Sequence, residues 1–233
     1  FYRVEKKTRK TKNDGAWMNF PSVSLFSSTA NADLTKFFKR MGCEASTNAY
    51  SITGSTPLVD SLLSVRYALY SEYIPNTDLV NYIQESGGTY LYENLYTLPL
   101  GFVLPYDLAD NWQYQMENPA EVQNDLCLLL GTDDVLVPVE TEVSGSGCTF
   151  TADMAGEYYV YIQNKKVKNV KASLPSGEKN FSNVDRGYLL EMGNLSEGSR
   201  ITLTPGESGE TLTAAVYRFS PRAMIQVYVR LSQ

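Results

Sequence analysis

The sequence predicts an α+β chain: a mixed α/β stretch over residues 1–135, then an all-β, jelly-roll-like sandwich over residues 136–233. Three observations carry this. Capped amphipathic segments alternate with short strands up to about residue 135. Beyond that point no segment shows a convincing helical period. Instead, short strands recur at even spacing between Gly, Pro and Ser turns.

The elements follow in order. Phe1-Tyr2-Arg3-Val4-Glu5 alternates apolar and charged residues as a half-covered strand does. With no polar lead-in before it, it reads as the start of a domain cut from a longer chain. Asn31 caps a helix that carries Asp33 in its first turn and Lys39 and Arg40 in its last. Leu34, Phe37, Phe38 and Met41 form its stripe, and Gly42 stops it. Thr56-Pro57 opens a short helix buried by Leu58, Leu62 and Leu63, and a strand over 65–70 follows. Asn76 or Thr77 reads as the cap of a helix with Leu79, Tyr82 and Ile83 inward, ended by Gly87-Gly88. Strands are expected over 90–93 and 101–104. Asn118-Pro119 with Glu121 starts a helix that buries Val122, Leu126, Leu129 and Leu130. Ser144-Gly145-Ser146-Gly147 reads as a hinge into the β-rich part. Strands are then expected over 149–152, 157–162, 167–174, 187–192, 201–204, 211–219 and 224–231. In the last of these, Ile225, Val227, Val229 and Leu231 share one face.

Composition limits the chemistry. The chain has 233 residues with 43% hydrophobic and 20% charged, which is enough apolar material for a packed core. The net charge of −6 argues against a nucleic-acid partner. There is no histidine, so Ser-His-Asp and Cys-His catalysis are excluded within these residues. Cys43, Cys127 and Cys148 form no CxxC pair and suggest neither a metal site nor a disulfide framework. They fit a Gram-positive surface or a reducing compartment equally well. No cofactor motif is present, since GxGxxG and the P-loop are both missing.

The basic run from Lys6 to Lys12 reads as a solvated edge or loop, with contact to anionic lipid or a polyanion as the sharper alternative. Asp133-Asp134 and Glu140/Glu142 lack calcium-loop spacing and read as solvated carboxylates. Asp60, Asp107, Asp110 and Glu117 are carboxylates that no pattern pairs for glycoside chemistry. Asp60 is expected to pair with Arg66. The 17 tyrosines are the unusual excess. An apolar ring with a polar tip suits sheet surfaces and also sugar stacking. Trp17, Tyr50 and Trp112 on loops, and Tyr159 and Tyr161 on a sheet face, are therefore the candidate ligand-binding residues. The ordinary reading of each is core or sheet filling. No catalytic or metal-ligating residue is assigned.

Five stretches stand in an order and spacing that resembles the YfhO family of bacterial multi-spanning membrane proteins. They are Phe1–Lys6, Phe26–Thr29, Gly54–Tyr67, Tyr92–Phe102 and Asn118–Asn124. The resemblance covers residues 1 to about 131, and the family carries a β-sandwich where this chain turns β-rich. It implies a region on the extracytoplasmic face of the cell membrane, with the membrane reached through transmembrane parts outside these residues. Family members resemble glycosyltransferases that use lipid-linked sugars, some implicated in adding sugars to teichoic acids. The implied role is to position a glycan or teichoic-acid-like acceptor, or to lid a membrane active site. No catalytic residue carries over, because that acid is expected near the first membrane helices. The alternatives are a carbohydrate- or cell-wall-binding module with Tyr159 and Tyr161 as platform, and a structural domain of a membrane assembly.

Overall fold

The computed structural model describes residues 1–232. The first part holds β1 (Arg3–Lys6), α1 (Asp14–Met18), β2 (Leu25–Phe26), α2 (Ala32–Arg40), β3 (Ala45–Ser46), β4 (Ala49–Tyr50) and α3 (Pro57–Leu62). It continues with β5 (Val65–Tyr70), β6 (Val80–Ser86), β7 (Thr89–Asn94), α4 (Leu108–Asn111) and α5 (Pro119–Leu129). The local signals explain where the helices start. The Asn31 side chain accepts from the Asp33 and Leu34 amides at 2.8 and 3.1 Å. Thr56 caps α3 and Asn118 caps α5, each followed by Pro at the first helical position. One four-stranded sheet runs β1-β5-β7-β6, with β1 parallel to β5 and the other pairs antiparallel. Within β1, Glu5 is buried and its carboxylate accepts from Ser22 Oγ, Ser24 Oγ and the Val23 and Ser24 amides.

The rest holds β8 (Leu136–Val139), β9 (Glu142–Ser144), β10 (Gly147–Thr151), β11 (Gly156–Ile162), β12 (Asn169–Leu174) and β13 (Gly177–Ser182). After a 3₁₀ turn come β14 (Leu190–Leu195), β15 (Arg200–Pro205), β16 (Ala214–Phe219) and α6 (Pro221–Leu231). The strands form two antiparallel sheets, β13-β12-β15-β10-β9 and β14-β11-β16-β8. With β9 set aside as an added edge, each sheet has four strands in jelly-roll order. Alternation along β11 decides how the sandwich is covered. Tyr158, Val160 and Ile162 fill the core between the sheets together with Phe150, Leu190 and Leu203. Tyr159 and Tyr161 point the other way, into a second core. That core joins Tyr159, Tyr161, Tyr217 and Phe219 to Leu58, Leu98 and Leu126 of the first part. Apolar packing therefore continues across residue 135.

Several expected elements differ, each for a physical reason. Residues 76–87 are not a helix. Thr77 Oγ1 accepts from the Leu79 and Val80 amides to close a turn, and β6 follows. Gly87 and Gly88 both have positive φ and form the two-residue turn of the β6–β7 hairpin. Residues 101–104 form an irregular loop between Pro99 and Pro105. Residues 224–231 belong to a helix: Ser220 caps it, Pro221 leads it, and Ala223, Met224, Val227 and Leu231 are its buried face. Leu34 lies exposed, so the buried stripe of α2 is narrower than its sequence suggests. Gly145 has positive φ in the tight β9–β10 turn, so the expected hinge is a hairpin. Asp60 pairs with Lys7, and Arg66 donates to Glu93 at 2.8 Å instead.

The basic run leaves the edge strand β1 and continues as a loop, and carboxylates hold most of its cations. Lys6 meets Asp14 at 3.5 Å, Lys7 meets Asp60 at 3.2 Å, and Lys12 meets Glu44 at 3.1 Å, with Arg9 on the same Glu44. Asp14 also accepts from the Lys10 and Thr11 amides, each at 2.8 Å. Burial alone would raise its pKa, but these donors outweigh it and hold the pKa at about 2. A depressed carboxyl stabilises the fold above its unfolded pKa and loses that contribution as pH falls through the folded one. Acidification from pH 3.8 to about 2 should therefore lower the urea midpoint of the native chain more steeply than that of Asp14→Asn. Equal slopes would refute this role.

Candidate functional site

A cleft of about 460 Å³ lies where α2 and the segment before α5 face the sandwich. Its walls carry five cations, Lys36, Lys39, Arg40, Lys165 and Arg186, against two carboxylates, Glu117 and Asp185. This is a positive concentration on a chain of net charge −6. Residues 36, 39 and 40 stand at i, i+3 and i+4 on α2, which brings them to one face. Arg40 is fixed by donating to the Met116 carbonyl at 2.9 Å. Arg186 leans to Glu44 at 3.9 Å, and Lys36 to Asp33 at 3.3 Å. Lys39 and Lys165 have no carboxylate within ion-pair distance among the described residues.

Lys165 is the most constrained of these cations. Its Nζ donates to Tyr161 Oη at 2.6 Å and sits 4.3 Å from that ring's centroid. Burial lowers its pKa, partly offset by Glu117 and Asp185. Burial likewise raises that of Tyr161. Tyr114 also lines the cleft. The cleft thus offers ammonium and guanidinium donors beside two phenol rings, a set that suits an anionic, hydroxyl-rich chain.

A second, smaller cavity of about 260 Å³ lies further along the same seam. Lys7, Ser55, Asp60, Glu157, Tyr159 and Glu191 are among the residues lining it. Tyr159 donates to Glu157 at 3.0 Å, and burial raises the pKa of both groups. Burial works against the Lys7 ammonium, but Asp60 and Glu191 outweigh it and raise its pKa well above the usual lysine value.

The residues singled out from sequence fall in different places. Tyr161 lines the basic cleft and Tyr159 the smaller cavity, and both are buried, so they form no open platform. Tyr50 is buried and stacks on Phe38 with ring centroids 4.4 Å apart. Trp112 packs against the core, and its Nε1 donates to the Val122 carbonyl at 2.9 Å. Trp17 is 86% exposed and, with Phe26, flanks a shallow depression of about 420 Å³. Lys36, Lys39, Arg40, Tyr114, Lys165 and Arg186 were not legible as site residues. The spacing of the three α2 cations was a signal, but it also fits a favourable helix end.

Among the described residues, no helix is long and apolar enough to cross a membrane. A family model described as "Bacterial membrane protein YfhO" matches residues 1–135. No curated protein and no solved structure matches the chain.

Proposed function

Since the chain belongs to the YfhO family of bacterial membrane proteins, we propose that it is the extracytoplasmic part of a membrane glycosyltransferase and holds the acceptor polymer. The acceptor class is a polyanionic, hydroxyl-rich polymer of the teichoic-acid type, and the sugar comes from a lipid-linked donor. Transfer itself takes place outside these residues. The basic cleft carries this reading. Phosphodiesters would meet Lys39, Lys165 and Arg186, while the half-buried Tyr114 would meet polyol or sugar faces.

The test is calorimetric titration of the chain with a polyglycerol-phosphate oligomer. A hydrogen bond to a charged group is worth about 1.5 kcal/mol, or roughly tenfold in affinity. Lys39→Glu/Lys165→Glu should therefore weaken binding at least about a hundredfold, and added salt should weaken the native chain as well. The exposed Trp17 beside Phe26 favours a second reading, a module for neutral glycans. Under that reading Trp17→Ala abolishes binding to a neutral glycan and charge reversal in the cleft leaves it intact. If neither polymer binds at millimolar concentration, both readings fail.

A further inference from the structure

We infer that the smaller seam cavity is a second binding site, and that it takes a compact primary ammonium compound with hydroxyl groups on its body. Both parts of the chain build it. The end of β1 brings Lys7, α3 brings Asp60 and β5 brings Tyr70. From the sandwich, β11 brings Glu157 and Tyr159, and β14 brings Glu191. Its volume of about 260 Å³ lies below the roughly 300 Å³ at which pockets for drug-sized ligands begin, so the ligand is small.

The charges in the wall do not balance. Four carboxylates line the cavity, Asp60, Glu72, Glu157 and Glu191, against two ammonium groups, Lys7 and Lys179. Both lysines are engaged. Lys7 meets Asp60 at 3.2 Å and Ser55 at 3.3 Å. Lys179 Nζ donates to the Met192 carbonyl at 3.0 Å, which neutralises no carboxylate. Glu157 and Glu191 hold neutral donors, Tyr159 Oη at 3.0 Å and the Gly54 amide at 2.8 Å. The other oxygen of each has no hydrogen-bond partner among the described residues. Asp60 is only 6% exposed, and its Oδ1 also lacks a partner. Buried acceptors are almost always satisfied, so one left open in a cavity wall points to a donor brought by a ligand.

The same wall selects the kind of cation. Among the described residues no three carboxylates converge closely enough to share a metal ion. An extended organic cation can reach them separately. The Tyr70 and Tyr159 rings in the lining offer faces to an ammonium group. The Asn194 amide and the Tyr70 hydroxyl, also in the lining, have no side-chain partner among the described residues and suit ligand hydroxyls. Burial raises the pKa of Glu157, and the charges of Glu191 and Asp60 push the same way, offset in part by Tyr159 and Lys7. A field of that sign favours an entering cation.

This site is separate from the basic cleft, and so is its test. The 233-residue chain is titrated calorimetrically at neutral pH with glucosamine, and with glucose as the neutral match. Glucosamine should bind saturably, and glucose at least about tenfold more weakly, the factor that one charged hydrogen bond supplies. Glu157→Gln and Glu191→Gln keep the acceptors used by Tyr159 and the Gly54 amide and remove only charge. Each should weaken glucosamine about tenfold while still unfolding cooperatively. Lys39→Glu/Lys165→Glu should bind glucosamine normally. No saturable binding at millimolar glucosamine, equal affinity for glucose, or native affinity in both folded variants would overturn the inference. So would loss of glucosamine binding in the cleft variant, which would place the amine elsewhere. Failure of polyglycerol-phosphate to bind would sink the cleft reading and leave this one standing.

Discussion

Asp60→Ala should destabilise the fold by about 3–5 kcal/mol, the cost of leaving a partner charge buried and unpaired. Asp60 is 6% exposed and receives the Lys7 ammonium at 3.2 Å, in the cavity between the sandwich and the first part. The ammonium also donates to Ser55 at 3.3 Å. Once the carboxylate is removed, burial acts on the Lys7 charge with only the longer-range field of Glu191 and its neighbours to offset it. The second oxygen of Asp60 is buried without a partner, so the pair is incompletely satisfied. An apolar pair should therefore serve nearly as well: Lys7→Met/Asp60→Leu should recover most of the loss. Because the folded pKa of Lys7 is raised, its contribution is complete below the ordinary value of 10.5 and disappears only as pH rises through the folded value. Urea denaturation of the three chains at neutral pH decides the matter. A loss below about 1 kcal/mol for Asp60→Ala, or a double variant worse than the single one, defeats the argument.

Gly54→Val should be nearly as damaging, through the backbone rather than through charge. Gly54 has φ +83°, a conformation that disfavours any side chain by about 1–2 kcal/mol. A Cβ there would collide with the Gly42 carbonyl oxygen and meet the Leu189 carbonyl oxygen at 2.6 Å. Neither is the flexible tip of a side chain. The Leu189 amide donates to the Gly42 carbonyl at 2.8 Å, and the Gly54 amide donates to Glu191 at 2.8 Å. Three backbone segments from both sides of residue 135 thus touch at a point where only glycine fits. Overpacking adds about 1–3 kcal/mol. At roughly 2–4 °C per kcal/mol for a chain of this size, the melting temperature should fall by about 10 °C. Gly87→Ala is the control: its φ is also positive, but nothing lies within 4 Å of its added Cβ. If Gly54→Val melts no lower than this control, the seam tolerates displacement and the argument fails.

The parts of the fold that were legible in the sequence are those whose cause is local. Asn31, Thr56-Pro57 and Asn118-Pro119 fix helix starts because a cap acts within three residues. The jelly-roll strands were legible because turns and alternation are short-range. α6 was not. Val227 and Val229 with Ile225 imitate a period of two, and only the Ser220-Pro221 pair showed otherwise. β6 failed in the opposite direction, since Leu79, Tyr82 and Ile83 imitate helical spacing while Gly87-Gly88 is a hairpin turn. The site was less legible still. Lys39 and Lys165 share a cleft only because α2 docks on the sandwich, and no pattern along the chain encodes that. The partners of the basic run, Glu44 and Asp60, are distant in sequence for the same reason.

Helix α6 bears on how the protein is made. By position it follows the last sandwich strand, but Met224, Val227 and Leu231 complete the core that Leu58, Leu98 and Leu126 begin. During synthesis the first part waits on the order of ten seconds, at 5–20 residues per second, for that helix to appear. Through that interval its apolar side stands open. Apolar surface exposed in this way makes a folding chain prone to aggregate until its closing piece arrives.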